Sequence, residues 1–241
     1  MAAVSAVTVS AETLRVVADI APVHSLVTRV MQGTGSADLL IEAGQSPHDF
    51  ALRPSTANAL QNADVVFWIG HALTPQLEEK MDTLADSAKI VELSGVEGGV
   101  VLPFREEAVF SEGADHDNGH DHHEGSDPHM WLDPENAKLW ITLISDTLTV
   151  ADPDNGDAYA ANAKAAIVEI DTLTQNISDL LQPVKKSNFV VFHDAYQYFE
   201  NRFGLSSSGS ILIADGSAPS AKRLKELEQE ILDSGVTCVF S

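Results

Sequence analysis

Three histidines of this 241-residue chain sit in stiff turns or at the end of an apolar run, each with an acid close by. His48 lies in Gln45-Ser46-Pro47-His48-Asp49-Phe50, where Gly44 and Pro47 restrict the backbone. His129 lies in Asp127-Pro128-His129-Met130-Trp131-Leu132-Asp133-Pro134, pinned between two prolines. His193 follows Phe189-Val190-Val191-Phe192 and precedes Asp194. Imidazole nitrogen suits borderline divalent metals, and a ligating ring commonly gives its other N–H to a carboxylate or carbonyl. The reading is a metal site made by His48, His129 and His193, with Asp49, Asp127 and Asp194 as candidate supports for the rings. Sequence adjacency alone does not guarantee those contacts.

A second group is local. His116, His120, His122 and His123 alternate with acids, among them Asp115, Asp117 and Asp121, within residues 112–127. Interleaved imidazoles and carboxylates on a flexible chain suit weak capture of divalent ions at several points. The tract is internal and mixed, unlike an expression tag. Residues 95–127 as a whole are rich in Gly, acids and His, and this composition reads as a long insertion rather than core.

The elements that must position these groups alternate. Strand-like runs at 14–20, 38–42, 65–69 and 90–93 are separated by helical patterns at 22–31, 54–62 and 75–85. Such alternation predicts a mostly parallel sheet covered on both faces. Residues 134–150 read as a helix, and Asp152-Pro153-Asp154 breaks it. A second helix follows, with Tyr159, Ala163, Ala166, Ile167, Ile170, Leu173, Ile177, Leu180 and Leu181 at three- and four-residue steps up to Pro183. About 27 residues at ~1.5 Å each span roughly 40 Å, the reach of a strut between lobes. Alternation then resumes, with strands at 189–192, 211–214 and 236–240 and helices at 195–203 and 219–232.

The predicted fold class is therefore α/β, with two lobes of parallel-sheet type joined by a long rigid helix and the second lobe incomplete. Residues 12–152 form the N-terminal lobe with the acidic His-rich loop 112–127, residues 153–183 the linking helix, and residues 184–241 a partial C-terminal lobe. Ligands of open α/β sheets bind outside the carboxyl ends of the strands, so His48 and His193 face the same kind of crevice from different lobes. His24 and His71 also follow strands and read as polar rim or helix-start residues. Trp68, Trp131 and Trp140 read as packing residues.

Composition narrows the partners. Acids number 36 against 14 Lys plus Arg, a formal charge of −22, which repels phosphate backbones and anionic lipid. Nucleic-acid binding is excluded. Nothing approaches the ~20 consecutive apolar residues of a membrane span, so direct membrane insertion is not expected either. Residues 2–11 are small, apolar or hydroxylated, and Val9-Ser10-Ala11 fits the small-x-small rule for signal cleavage, although the first positive side chain is Arg15. Residues 1–11 read as the remnant of an export signal. Cys238 is the single cysteine and lies in an apolar run, where a free thiol behaves as a small buried hydrophobe. An unpaired cysteine is odd in an exported protein.

Taken together, Gln45-Ser46-Pro47-His48-Asp49-Phe50 with Leu52-Arg53-Pro54-Ser55, the acidic His loop, the segment 127–134, and Phe192-His193-Asp194-Ala195-Tyr196-Gln197-Tyr198-Phe199 resemble the periplasmic zinc-binding proteins of ABC importers, the ZnuA type. The resemblance covers residues 14–241. It implies two α/β lobes joined by a long helix, Zn²⁺ held by His48, His129 and His193, an ABC importer permease in the cytoplasmic membrane as partner, and a periplasmic location of the Gram-negative type. A monomer is expected. Some members carry a ligating Glu just before the first histidine, where this chain has Pro47; others use an Asp near the C-terminus. Some also pair the equivalent of Cys238 with a late cysteine. Both absences agree with a truncated C-terminus. The fourth position would fall to water, chloride or a loop histidine.

Two other readings compete. Manganese- or iron-binding importer components resemble this architecture, but the manganese type carries a Glu where His193 stands, and three imidazoles favour Zn²⁺ over Mn²⁺. Three histidines with an open position also describe a zinc hydrolase. No His-Glu-x-x-His, nucleophile elbow or phosphate-binding Gly-rich loop is present, so an enzyme is not expected.

Overall fold

A computed structural model describes residues 13–105, 109–110, 125–212, 219–236 and 238–240. The export-signal reading of residues 1–11 and the loop residues His116, His120, His122, His123, Asp115, Asp117 and Asp121 fall outside the described residues.

The first lobe is built on β1 (Val16–Ala18), β2 (Ala37–Leu39), β3 (Val65–Trp68) and β4 (Lys89–Glu92), in the order β2-β1-β3-β4 with every pair parallel. β1 and β3 are apolar at every position and wholly buried, as strands covered on both faces must be. Helices α1 (Ala21–Val30), α2 (Pro54–Gln61) and α3 (Pro75–Leu84) form the connections, each with proline in its first turn, where a missing N–H costs nothing. The strand expected at 38–42 is shorter and starts earlier, yet Leu40 N donates to Ala18 O and Ile41 N to Asp19 O, both at 2.9 Å, before the chain turns toward His48.

The second lobe holds β5 (Phe189–His193), β6 (Ser210–Leu212) and β7 (Cys238–Phe240), parallel in the order β6-β5-β7, with α6 (Gln197–Phe203) and α7 (Ala221–Ser234). His193 is the last residue of β5 rather than the first beyond it. Cys238 is exposed, which corrects the expectation of a buried thiol: β7 lies at the sheet edge with all its residues exposed.

α4 (Pro134–Ala151), capped by the Asp133 side chain accepting from Glu135 N, packs into the first lobe's core through Trp140, Ile141, Ile144 and Leu148, and the long α5 (Gly156–Leu181) follows it. Tyr159, Ala163 and Ala166 are buried in the first lobe's core. The predicted stripe does not stay buried, since Leu173 is 50% and Leu180 75% exposed. The reason is length: α5 has 26 residues and its antiparallel neighbour α4 has 18, so the last turns of α5 overrun α4. Exposed ion pairs, Lys138 with Asp171 and Arg29 with Glu169, fasten α5 to α4 and α1 near that point. Trp68 and Trp140 are core residues as expected, and Trp140 Nε1 donates to Leu93 O at 2.9 Å.

Candidate metal centre

His48, His129 and His193 converge. Each offers a ring nitrogen, and these atoms lie within 4.8 Å of one another. Ring centroids stand 4.9 Å apart for His129 and His193, 5.5 Å for His48 and His129, and 5.7 Å for His48 and His193, with interplanar angles of 61–79°. Three ring nitrogens this close together can enclose one small cation. Three separate parts of the chain supply them: the turn beyond β2, the residue just ahead of the 3₁₀ turn Met130–Leu132, and the end of β5.

His129 is the most deeply placed, at 4% exposure. Its Nδ1 lies 2.6 Å from Asp127 Oδ1, and its backbone N–H donates to the same oxygen at 2.9 Å. This contact assigns the proton to Nδ1 and leaves Nε2 with a lone pair for an ion. Trp131 packs edge-on against the His129 ring, centroids 5.2 Å apart, so the ring is held on its second side as well.

The other expected supports divide. Asp194 is buried and is gripped by Arg105, which hydrogen-bonds both carboxylate oxygens. Burial pushes the Asp194 carboxyl above the ordinary range, and Arg105 opposes that shift. Asp49 does not fit the support role: it is exposed, and among the described residues it hydrogen-bonds none of the three imidazoles. The turn carries its side chain outward, and position next to a ligand does not fix direction. His24 Nε2 meets Ala37 O at 2.9 Å, and His71 Nδ1 meets Glu78 Oε2 at 2.5 Å, which leaves both in the polar roles expected for them.

Three residues that sequence reasoning missed tie the site together. Gln76 at the start of α3 donates to His48 O at 3.0 Å. The Tyr198 hydroxyl donates to Asp127 O at 2.8 Å and accepts from Leu102 N at 2.9 Å. Arg202 forms a fork on Asp133, with contacts of 2.7 and 2.8 Å, and so joins α6 to the start of α4. Tyr198 lies within the segment 192–199 that carried the resemblance, without a role assigned to it, while nothing local marks Gln76 or Arg202; each acts on a residue far along the chain.

Two parallel α/β lobes with three imidazoles gathered where they meet define a metal-binding protein of the solute-capture class. Residues 16–241 match the family model of the periplasmic zinc-uptake complex component A, ZnuA, and the chain belongs to that family. It is 40% identical over 255 residues to the high-affinity zinc uptake system protein ZnuA of Paracoccus denitrificans, covering 95% of this chain and 76% of the relative. The corresponding protein of Brucella abortus is 38% identical over 252 residues, covering 94% and 75%. Among solved structures, a zinc-bound ZnuA deletion mutant superposes with a TM-score of 0.77 at 26% identity, covering 95% of this chain and 80% of that one. A Zn(II)-bound mutant of AdcAII from Streptococcus pneumoniae gives 0.76 at 26% identity, covering 94% and 80%. Among the described residues, no helix is long and apolar enough to cross a membrane.

Proposed function

We propose that this chain captures Zn²⁺ in the periplasm and hands it to the permease of an ABC importer, with His48, His129 and His193 as the ligands. The observation that carries the reading is the meeting of three imidazole nitrogens within 4.8 Å of one another. Neutral imidazoles suit Zn²⁺ better than the harder Mn²⁺, and among the described residues the cluster is made of imidazoles alone. The zinc-uptake relatives support the same choice of ion. The protein works by stoichiometric binding and release as a monomer, not by turnover. Its charge of −22 raises the local concentration of cations around the cleft.

Titration with Zn²⁺ against a competing chelator tests this, with His48, His129 and His193 each replaced by Ala. Each replacement is expected to weaken the tight site by at least about tenfold, the cost of losing one ligand where an outer-shell partner already costs that much. Imidazoles must be unprotonated to bind, so affinity should be lower at pH 5 than at pH 7.5. Affinity that is equal at pH 5 and 7.5, or three Ala variants that bind like the parent, would refute imidazole ligation.

A further inference from the structure

Residues 102–105 and 109–110 form a strap from the first lobe onto the second. Val109 bridges Gly209, and Phe110 N donates to Ser208 O at 3.0 Å. Arg105 stands in this strap with its guanidinium 3.9 Å from the centre of the Phe110 ring, which holds the fork from behind. In front, Nε contacts both Asp194 oxygens at 3.1 Å, while Nη1 reaches Glu200 Oε2 at 3.0 Å. The Asp194 and Glu200 side chains are each 5% exposed. Glu200 in turn accepts from Ser207 N and Oγ at 3.0 Å, which locks the far end of the grip.

The grip lies one residue from the third imidazole. Asp194 N donates to Leu212 O at 3.2 Å, and Ala195 N donates to His193 O at 2.8 Å. The peptide after His193 is therefore set by β6, its turn by Ala195, and the carboxylate beyond it by Arg105. On the other side, Asp127 is the residue that orients His129, whose ring stands 4.9 Å from that of His193.

We propose that Arg105 is a positioning residue of the metal centre, acting through Asp194 to hold the His193 turn at its working distance from His129. The inference rests on the reading of the three histidines as ligands. It concerns a side chain that neither touches the ion nor lies within the segments that suggested the site. A planar fork that holds two carboxylates at once is specific to arginine; lysine supplies charge without the paired geometry.

The test is a double-mutant cycle read by Zn²⁺ competition titration on the full chain: parent, R105M, D194N, and R105M/D194N, with H193A alongside. R105M is expected to weaken Zn²⁺ binding by about tenfold or more, in the range found for residues that orient ligands. In the D194N background the same replacement should cost less than about threefold, because its target is already gone. R105K should fall between parent and R105M. If R105M fails to fold by circular dichroism at the assay temperature, the cycle is run with R105K, which keeps the buried positive charge. R105M binding Zn²⁺ as tightly as the parent overturns the proposal, and so does an equal loss in both backgrounds. H193A binding like the parent would instead overturn the ligand reading, whatever Arg105 does.

Discussion

One oxygen of Asp127 takes two hydrogen bonds from the same residue: Oδ1 accepts from His129 N at 2.9 Å and sits 2.6 Å from His129 Nδ1. A single carboxylate therefore sets the backbone, the ring direction and the tautomer of the deepest imidazole. D127N keeps the shape but replaces a charged acceptor with a weaker neutral one, and its amide N–H₂ competes for the same position. The expected result is a 10- to 100-fold weaker Zn²⁺ site with a small change in melting temperature. Chelator competition and thermal melts of the same sample measure both; unchanged affinity would show that the ring is oriented by its packing on Trp131 alone.

Asp19 gives a pH-dependent prediction away from the metal centre. It is fully buried at the end of β1, and burial pushes its carboxyl from 3.8 up to about 7, with the backbone N–H groups of Ile69 and Ile20 pulling the other way. Those donors approach Oδ2 and Oδ1 at 2.7 Å each. Because the folded pKa is raised, the folded state keeps a proton that the unfolded chain has lost. The contribution to stability is complete below pH 3.8 and disappears as pH rises through about 7. D19N removes the titration, so the stability of the parent relative to D19N should fall steadily over that window. Denaturant melts at four pH values measure the difference; a flat or rising difference would contradict the assignment.

Local chemistry made much of this legible from sequence. Proline-braced turns marked His48 and His129, a strand end marked His193, and the alternation of apolar runs with helical patterns marked both parallel sheets. What stayed hidden was tertiary. Arg105 contacts residues 89 and 95 positions away, and nothing in Pro103-Phe104-Arg105 signals a partner. Asp49 and Asp127 looked alike as acids near a ligand, but only Asp127, set two residues back across a proline, folds over its histidine. The stripe on α5 showed that the helix is amphipathic and not how far its neighbours extend beside it.

Tyr198 separates stability from metal binding. Its hydroxyl bridges Leu102 N and Asp127 O, which flank the His-rich segment in sequence. Burial raises the Tyr198 pKa to about 12, so the hydroxyl remains a donor at any physiological pH. Y198F leaves two backbone groups without their partner, at a cost of about 1–3 kcal/mol. Asp127 N still donates to Leu102 O at 2.9 Å, so the two arms stay paired and the carboxylate stays on His129. The melting temperature should drop while Zn²⁺ affinity shifts by less than about threefold. A large loss of affinity at unchanged stability would mean that the hydroxyl, not the carboxylate, governs the His129 turn.

Gln76 predicts the opposite pattern. The segment bearing His48 has no regular structure between β2 and α2, and the Gln76 side chain, exposed on the first turn of α3, donates to His48 O at 3.0 Å. Within the turn itself, His48 N donates to Ser46 Oγ at the longer distance of 3.3 Å. An exposed hydrogen bond of this kind contributes about 0.5–1.5 kcal/mol, and here it acts on the position of a ligand rather than on the core. Q76A should therefore weaken Zn²⁺ binding by about two- to tenfold, with the loss appearing as faster release. The melting temperature of the zinc-free protein should move less than in Y198F, since Gln76 is exposed and its bond lies at the surface. Stopped-flow release into excess chelator, paired with a melt, reads both quantities. If Q76A lowers the melting temperature and leaves the release rate alone, the bond supports the packing of α3 and not the place of His48.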